Sequence, residues 1–382
     1  MHIRKKKCNF AADFMICEDL HSALAHILRS YEPDQVCFVV DEQVRGIVEA
    51  SKGQIGLKCC TLSVSESEKT LETVQRVWDF FFAHGLTRSG VVVAIGGGVL
   101  TDVVGFAAAT YKRGVDCIYV PTTLLAMVDA STGGKTGFNY HGLKNSIGVF
   151  APPVETLIWP GWLQTLPAKE ILNGFAEMLK TGLIESPTPT LPRREGEKSS
   201  LWHDLLNYDL EAMPLDALTP LIRRCVAVKE AIVAADPKEE GLRKVLNFGH
   251  TFGHALEELS LSGEAGLGHT WKRSVLYQRS GLSHGYAVLY GMIAELYLSV
   301  TKLGCEREVL QQLTQIMLHT YGKPACKCSD RERLIALMKQ DKKNERAAEI
   351  NVTLLRAVGS PVVNQTITAD EADEAWEYLF SL

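Results

Sequence analysis

Apolar runs and helical spacings alternate along the first 160 residues. Gln35 to Val40 is rich in β-branched and aromatic residues and stops at Asp41, which predicts a strand. From Glu68 to His84 the apolar positions Leu71, Val74, Val77, Trp78 and Phe81 recur at helical spacing. Val91 to Ile95 is an unbroken apolar run, as a buried strand requires, and Val99 to Thr110 reads as the next helix. Cys117 to Val120 is a further short strand, stopped by Pro121. This alternation predicts an α/β region with a mostly parallel sheet. Beyond about Trp162 long helical spacings take over: Ala168 to Glu185, Ala217 to Ala235, His250 to Leu259, Gly285 to Leu303 and Arg307 to Tyr321. The expected organisation is therefore a sheet domain over 1–161 and a mainly helical domain over 162–382, and a length of 382 residues fits two domains.

Two stretches read as insertions. Ser186 to Ser200 is rich in proline and charge and predicts an exposed loop; Ser260 to Ser283 is a mixed Gly- and Ser-containing segment with one isolated histidine, His269, that reads as a solvent-facing loop residue. Hydrophobic content of 46% and charged content of 22% are those of an ordinary globular chain. The net charge of −5 argues against nucleic acid as a partner. No apolar run reaches the roughly 18–20 residues that span a bilayer, and the basic start Met1 to Lys7 has no apolar stretch after it, so neither a membrane span nor a secretory signal is expected. Ten cysteines without regular spacing predict reduced thiols in a cytoplasm.

Candidate chemistry changes this picture. Gly96-Gly97-Gly98 follows the strand at Val91 to Ile95 and precedes a helix, a place where backbone N–H groups can approach a phosphate. The spacing is not G-x-G-x-x-G, and a tight structural turn accounts for the glycines equally well. Asp41, at the end of an earlier strand, could accept hydrogen bonds from a ribose diol and would repel a 2′-phosphate, favouring NAD over NADP. Glu177 and Lys180 lie at i, i+3 on one helix, the spacing of an ordinary surface ion pair. His250 and His254, four apart, share a helix face, and His284 stands just before another helix. With Glu177 they make four candidates for what is usually three protein ligands to a catalytic zinc-type ion. Gly133-Gly134-Lys135-Thr136 reads as a glycine-lysine turn suited to an anion. Arg113, Lys135, Lys144, Lys180, Lys229 and Arg243 each read alone as solvated surface; as a group in an acidic protein they imply a polyanionic substrate.

The stretches GGGVLTDVVGFAAATYKRG, VPTTLLAMVDASTGGKTGFN, LKNSIG, LPAKEILNGFAEMLKTGLI, LRKVLNFGHTFGHALE, LSHGYAV and DKKN, in this order, resemble the 3-dehydroquinate synthase family of the sugar phosphate cyclase superfamily. The resemblance implies an N-terminal Rossmann-like domain, a helical C-terminal domain and a homodimer. It implies metal ligands at Glu177, His250 and His284, leaving His254 to the substrate. It implies NAD contacts at Asp41, Glu66, Lys69, Gly97, Gly98, Val99, Asp102, Thr122, Thr123 and Thr165, shared with Lys135 and Lys144. It implies substrate and catalytic roles for Arg113, Asp129, Lys135, Lys144, Asn145, Lys180, Lys229, Arg243, Asn247, His254 and Lys342. Three positions depart from the pattern: His141-Gly142-Leu143 before Lys144, Tyr286 where Glu is common, and Ser65 before Glu66.

The implied activity turns 3-deoxy-D-arabino-heptulosonate 7-phosphate into 3-dehydroquinate and phosphate, with NAD and Zn²⁺ or Co²⁺ as cofactors. Competing expectations are a sister cyclase of the valiolone or deoxy-inosose type, a metal-dependent NAD polyol dehydrogenase that releases NADH, and a catalytically dead relative acting as a binding subunit. The intact ligand and lysine positions argue against the last.

Overall fold

The computed structural model describes residues 13–51, 58–141, 143–186, 200–261, 277–278, 281–340 and 349–382. Most of both expected insertions, with His269, lies outside the described residues, and so does Lys342. The chain divides into two compact units. The first is Met1–Pro167 with Lys229–Lys238, and the second is Ala168–Val228 with Glu239–Leu382.

The first unit is built on a six-stranded sheet. Its strands are β1 (Asp13–Ile16), β2 (Val36–Asp41), β3 (Lys58–Leu62), β4 (Val91–Gly96), β5 (Asp116–Pro121) and β8 (Glu155–Ile158), in the order β1-β8-β5-β4-β2-β3. Every pairing is parallel. The central strands are the unbroken apolar runs of the sequence, because a parallel sheet is covered on both faces; β4 is buried along its whole length. Helices Leu71–Ala83 and Gly98–Thr110 supply Val74, Val77, Phe81, Leu100, Val103 and Ala107 to one core with Val92 and Ala94 of β4. Between β5 and β8 the chain forms an antiparallel hairpin, β6 (Lys135–Tyr140) and β7 (Leu143–Phe150). The expected glycine-lysine turn is thus the entry to a strand: Gly133 and Gly134 take φ of 107° and 65°, and Lys135 begins β6.

The second unit is mainly helical, as expected. Its main helices are Ala168–Ile184, Leu215–Ala235 (whose last turns belong to the first unit), His250–Leu261, His284–Leu303, Arg307–Ile316 and Ala369–Ser381. The final helix is preceded by a hairpin of Ile350–Leu355 and Pro361–Ile367 that periodicity did not predict. Glycines set how closely two of these helices cross. A Cβ on Gly291 would stand 1.9 Å from the Gly249 carbonyl oxygen, and one on Gly253 would stand 3.0 Å from the Ala287 carbonyl oxygen. Gly249 itself has φ of 78°. Helix His284–Leu303 therefore lies against the chain at Gly249–Gly253 at a separation no larger residue permits.

Candidate active site

In the first unit, β4 runs into Gly97, which is extended, and helix Gly98–Thr110 starts at the next residue with no side chain capping it. The glycines fit by necessity. A Cβ on Gly98 would stand 3.0 Å from Ala130 Cβ, and one on Gly97 would stand 3.3 Å from Thr123 Cγ2. A Cβ on Gly105 would lie 1.9 Å from the Tyr119 hydroxyl, so this helix presses directly on β5. The result is a bare helix N-terminus at the carboxyl edge of a parallel sheet, the ordinary seat of a diphosphate. Asp41 ends the adjacent strand, its Cβ 3.2 Å from where a Cβ on Gly96 would stand. Burial pushes its carboxyl up, opposed by the Gln43 N–H that donates to it at 3.0 Å. Thr122 is buried, and its N–H donates to the Gly96 carbonyl at 3.0 Å.

Around this turn the polar side chains are tied to one another. Lys69, buried, donates at 2.5 Å to both Asp102 Oδ2 and Asn145 Oδ1. Burial raises the Asp102 carboxyl, and the Lys69 ammonium acts against that. Lys229, also buried, donates at 2.6 Å to both the carbonyl oxygen and Oδ1 of Asp129. Lys144 is half-buried, whereas Asn145, Lys135 and Arg113 are exposed. Arg113 and Asn145 take φ of 66° and 50°. Thr165 is exposed, and its hydroxyl donates to the Trp162 carbonyl at 3.1 Å.

In the second unit Glu177, His250 and His284 come together. One ligand atom from each lies within 4.8 Å of the others. Glu177 Oε1 is 3.8 Å from His250 Nε2 and 3.5 Å from His284 Nε2. The other ring nitrogens are engaged: His250 Nδ1 is 3.1 Å from the Phe248 carbonyl, and His284 Nδ1 is 3.3 Å from Glu257 Oε2. Both Nε2 atoms are thereby aimed at Glu177, the arrangement of metal-binding imidazoles with oriented tautomers. Burial pulls the His284 pKa down. The charge of Glu257 and the hydrogen bonds to Glu177 and Glu257 outweigh this and hold it at about 10. Two imidazoles with one carboxylate suit Zn²⁺ or Co²⁺ with a position left open.

His254 shares the helix with His250, ring centroids 5.4 Å apart, and is not part of that ligand cluster. The Glu177–Lys180 pair, read from spacing as a surface contact, is an ion pair between two side chains that are both at most 2% exposed. The reading of the cations as solvated surface fails likewise at Lys229 and Arg243, which are buried. Asn247 Nδ2 donates to Glu239 Oε1 at 2.9 Å.

Several positioning residues escaped the sequence reading. Asn173 Oδ1 accepts the Gly285 N–H at 2.7 Å, at the start of the helix that carries His284. Glu295, fully buried, accepts the Gly249 N–H at 2.7 Å, next to His250. A signal existed for two of the missed residues. Glu257 lies seven residues after His250 and Asn173 four before Glu177, each on its ligand's helix face.

The fold and the site define a class before any particular family: a parallel sheet with a glycine turn, and a helical unit with a Glu/His/His centre, as in sugar phosphate cyclases. ValA, a 2-epi-5-epi-valiolone synthase from Streptomyces hygroscopicus solved with NAD+ and Zn2+ bound, superposes with a TM-score of 0.75 at 30% identity, covering 97% of each chain. A 2-deoxy-scyllo-inosose synthase solved with carbaglucose-6-phosphate, NAD+ and Co2+ shares the fold at a TM-score of 0.74 and 22% identity, over 96% of this chain and 97% of that one. Within the class, the profile of the 3-dehydroquinate synthase N-terminal domain matches residues 59–173, and that of the C-terminal domain matches residues 174–344. A 3-dehydroquinate synthase of Parabacteroides distasonis is 37% identical over 368 residues, 95% of this chain and 96% of that protein. The chain belongs to the 3-dehydroquinate synthase family.

Proposed function

We propose that the chain converts 3-deoxy-D-arabino-heptulosonate 7-phosphate to 3-dehydroquinate and phosphate. The observation that carries this reading is the intact Glu177/His250/His284 cluster within 4.8 Å, in a chain 37% identical to a 3-dehydroquinate synthase along nearly its whole length. The conversion is redox-neutral overall: a transient oxidation at C5, loss of phosphate, re-reduction, opening of the hemiketal ring to free its ketone, and closure by an intramolecular aldol step. NAD and a divalent zinc or cobalt ion supply a reversible hydride acceptor and a Lewis acid that makes a neighbouring hydroxyl easier to ionise.

The chain's own residues do the rest. Glu177, His250 and His284 hold the metal. Asp41 takes the ribose diol, and Gly97, Gly98 and Val99 open the helix N-terminus to the diphosphate. Glu66, Lys69, Asp102, Thr122, Thr123 and Thr165 complete the nucleotide contacts. Lys135, Lys144 and Lys180, with Arg113, hold the phosphate that departs. Lys229 and Arg243 hold the substrate carboxylate. Asp129 orients Lys229, to which it is bonded. His254 and Asn247, with Asn145 and Lys342, orient hydroxyls, and the His254 imidazole moves a proton.

The proposal includes a homodimer and a cytoplasmic setting. None of the nine described cysteines forms a disulfide, as in a reducing compartment, and no described helix is long and apolar enough to cross a membrane. Phosphate release with catalytic NAD and no accumulation of NADH tests the activity. Stoichiometric NADH would mark a polyol dehydrogenase instead. A sister cyclase reading has the 30% identity to the valiolone synthase behind it, below the 37% to a 3-dehydroquinate synthase, and substrate preference separates the two.

A further inference from the structure

Asn139, near the end of β6, has no role in any reading so far, yet its backbone N–H and both polar atoms of its side chain are used. Its backbone N–H donates to the Lys69 carbonyl at 2.8 Å. Its Nδ2 donates to Glu66 Oε1 at 2.8 Å and to the Glu66 carbonyl at 3.2 Å. Its Oδ1 accepts the Asn145 N–H at 2.8 Å. The orientation of the amide is fixed by chemistry, since a backbone N–H can only donate and a carboxylate can only accept. Lys69 closes the circle by donating to Asn145 Oδ1 at 2.5 Å.

Two features of this circle point beyond ordinary hairpin stability. Asn145 has φ of 50°, a left-handed conformation uncommon outside glycine, which asparagine adopts more readily than other residues and which a local hydrogen bond holds in place. The bond to Asn139 is imposed on that very peptide, and Lys144 precedes it. Glu66 lies on a short 3-10 turn, Glu66–Glu68, and its carboxylate is held from this side by a single amide.

We infer that Asn139 is a positioning residue for the nucleotide and substrate contacts: one side chain sets the Glu66 carboxylate and the left-handed turn at Asn145 together. The inference rests on the proposed function, in which Glu66 contacts NAD and Lys144 and Asn145 contact substrate. Asn139 touches neither ligand in this scheme; it fixes the groups that do.

Asn139→Asp separates positioning from mere stability. It places a second carboxylate within hydrogen-bond distance of Glu66, and two such carboxylates cannot both stay charged without repulsion. Acid lets the pair share a proton and restores the bond. NAD+ binding is measured by calorimetry on wild type, Asn139→Asp and Asn139→Ala at pH 8 and at about pH 5.5, where a crowded carboxylate pair takes up a proton. Hydrogen exchange of the peptide over 139–150 is followed in parallel.

Asn139→Ala should weaken NAD+ binding by about tenfold at both pH values, the scale of a lost bond to a charged group. Asn139→Asp should weaken it by at least that much at pH 8 and return to within about threefold of wild type in acid. Both variants should exchange faster over 139–150. Variants that bind NAD+ like wild type, or an Asn139→Asp defect that ignores pH, would overturn the inference while leaving the function standing. Wild-type protein with no affinity for NAD+ would remove both.

Discussion

Glu257 and His254 lie on the helix of His250 and do opposite things. Glu257 fixes His284 through Nδ1, at 3.3 Å, and adds negative charge behind the ligand. Removing such a partner typically costs about 10–100-fold in metal affinity, so Glu257→Gln should weaken zinc retention by that factor against a chelator, and the exposed neighbour Glu258→Gln should not. His284→Ala should lose the metal outright. His254→Ala should keep it and lose turnover, because its ring lies outside the ligand cluster. Metal content of the two purified variants decides the point: equal loss from both would make the i, i+4 pair His250/His254 the ligand set. Spacing could not choose among the four candidates, since His250 and His254 share a face. The choice is made by where His284 arrives, and that is set by packing. For the same reason the buried state of Lys180 and Arg243 was not legible; spacing gives the face of a helix, not what covers it.

At the scale of elements, the centre depends on a close crossing. Gly291 faces the Gly249 carbonyl, and the carbonyl cannot move without moving His250. Gly291→Ala should cost about 3 kcal/mol of stability, the upper part of the range for overpacking, and should lower zinc content in the protein that still folds. Gly46→Ala is the control: nothing lies within 4 Å of its added Cβ, and it sits inside helix Arg45–Ser51, so a gain of about 0.5–1 kcal/mol is expected. Denaturant titration reads both. Equal, small effects would mean that the crossing is loose and the ligands are held some other way. The strands β2, β4 and β5 were visible in the sequence as unbroken apolar runs, covered on both faces, and most helices by their single period. β3 and β8 were not, being short edge or near-edge strands of four or five residues. The β6–β7 hairpin was not read beyond the glycine-lysine turn that opens it, because β7 is largely exposed and shows no alternation to read.

At the scale of the whole molecule, a chain of net charge −5 keeps four cations, Lys69, Lys180, Lys229 and Arg243, out of water. Burying charge is costly unless partners are supplied, and here the partners include Glu177 and Asp129. Chelation should abolish activity, and Zn²⁺ or Co²⁺ should restore it, as the Glu/His/His donor set requires. Full turnover in verified metal-free protein would remove the metal from the account.

The central claim is the substrate, and one comparison tests it most directly: kcat/KM for 3-deoxy-D-arabino-heptulosonate 7-phosphate against sedoheptulose 7-phosphate, with catalytic NAD and saturating zinc. The second sugar lacks the carboxylate assigned to Lys229 and Arg243. Losing the charge-assisted hydrogen bonds that the carboxylate would make costs about 2–5 kcal/mol, so the heptulosonate should be preferred by at least about thirtyfold and up to several thousandfold. Comparable values on the two substrates, or a preference for sedoheptulose 7-phosphate, would contradict the account and make the chain a sister cyclase with the same fold and the same metal centre.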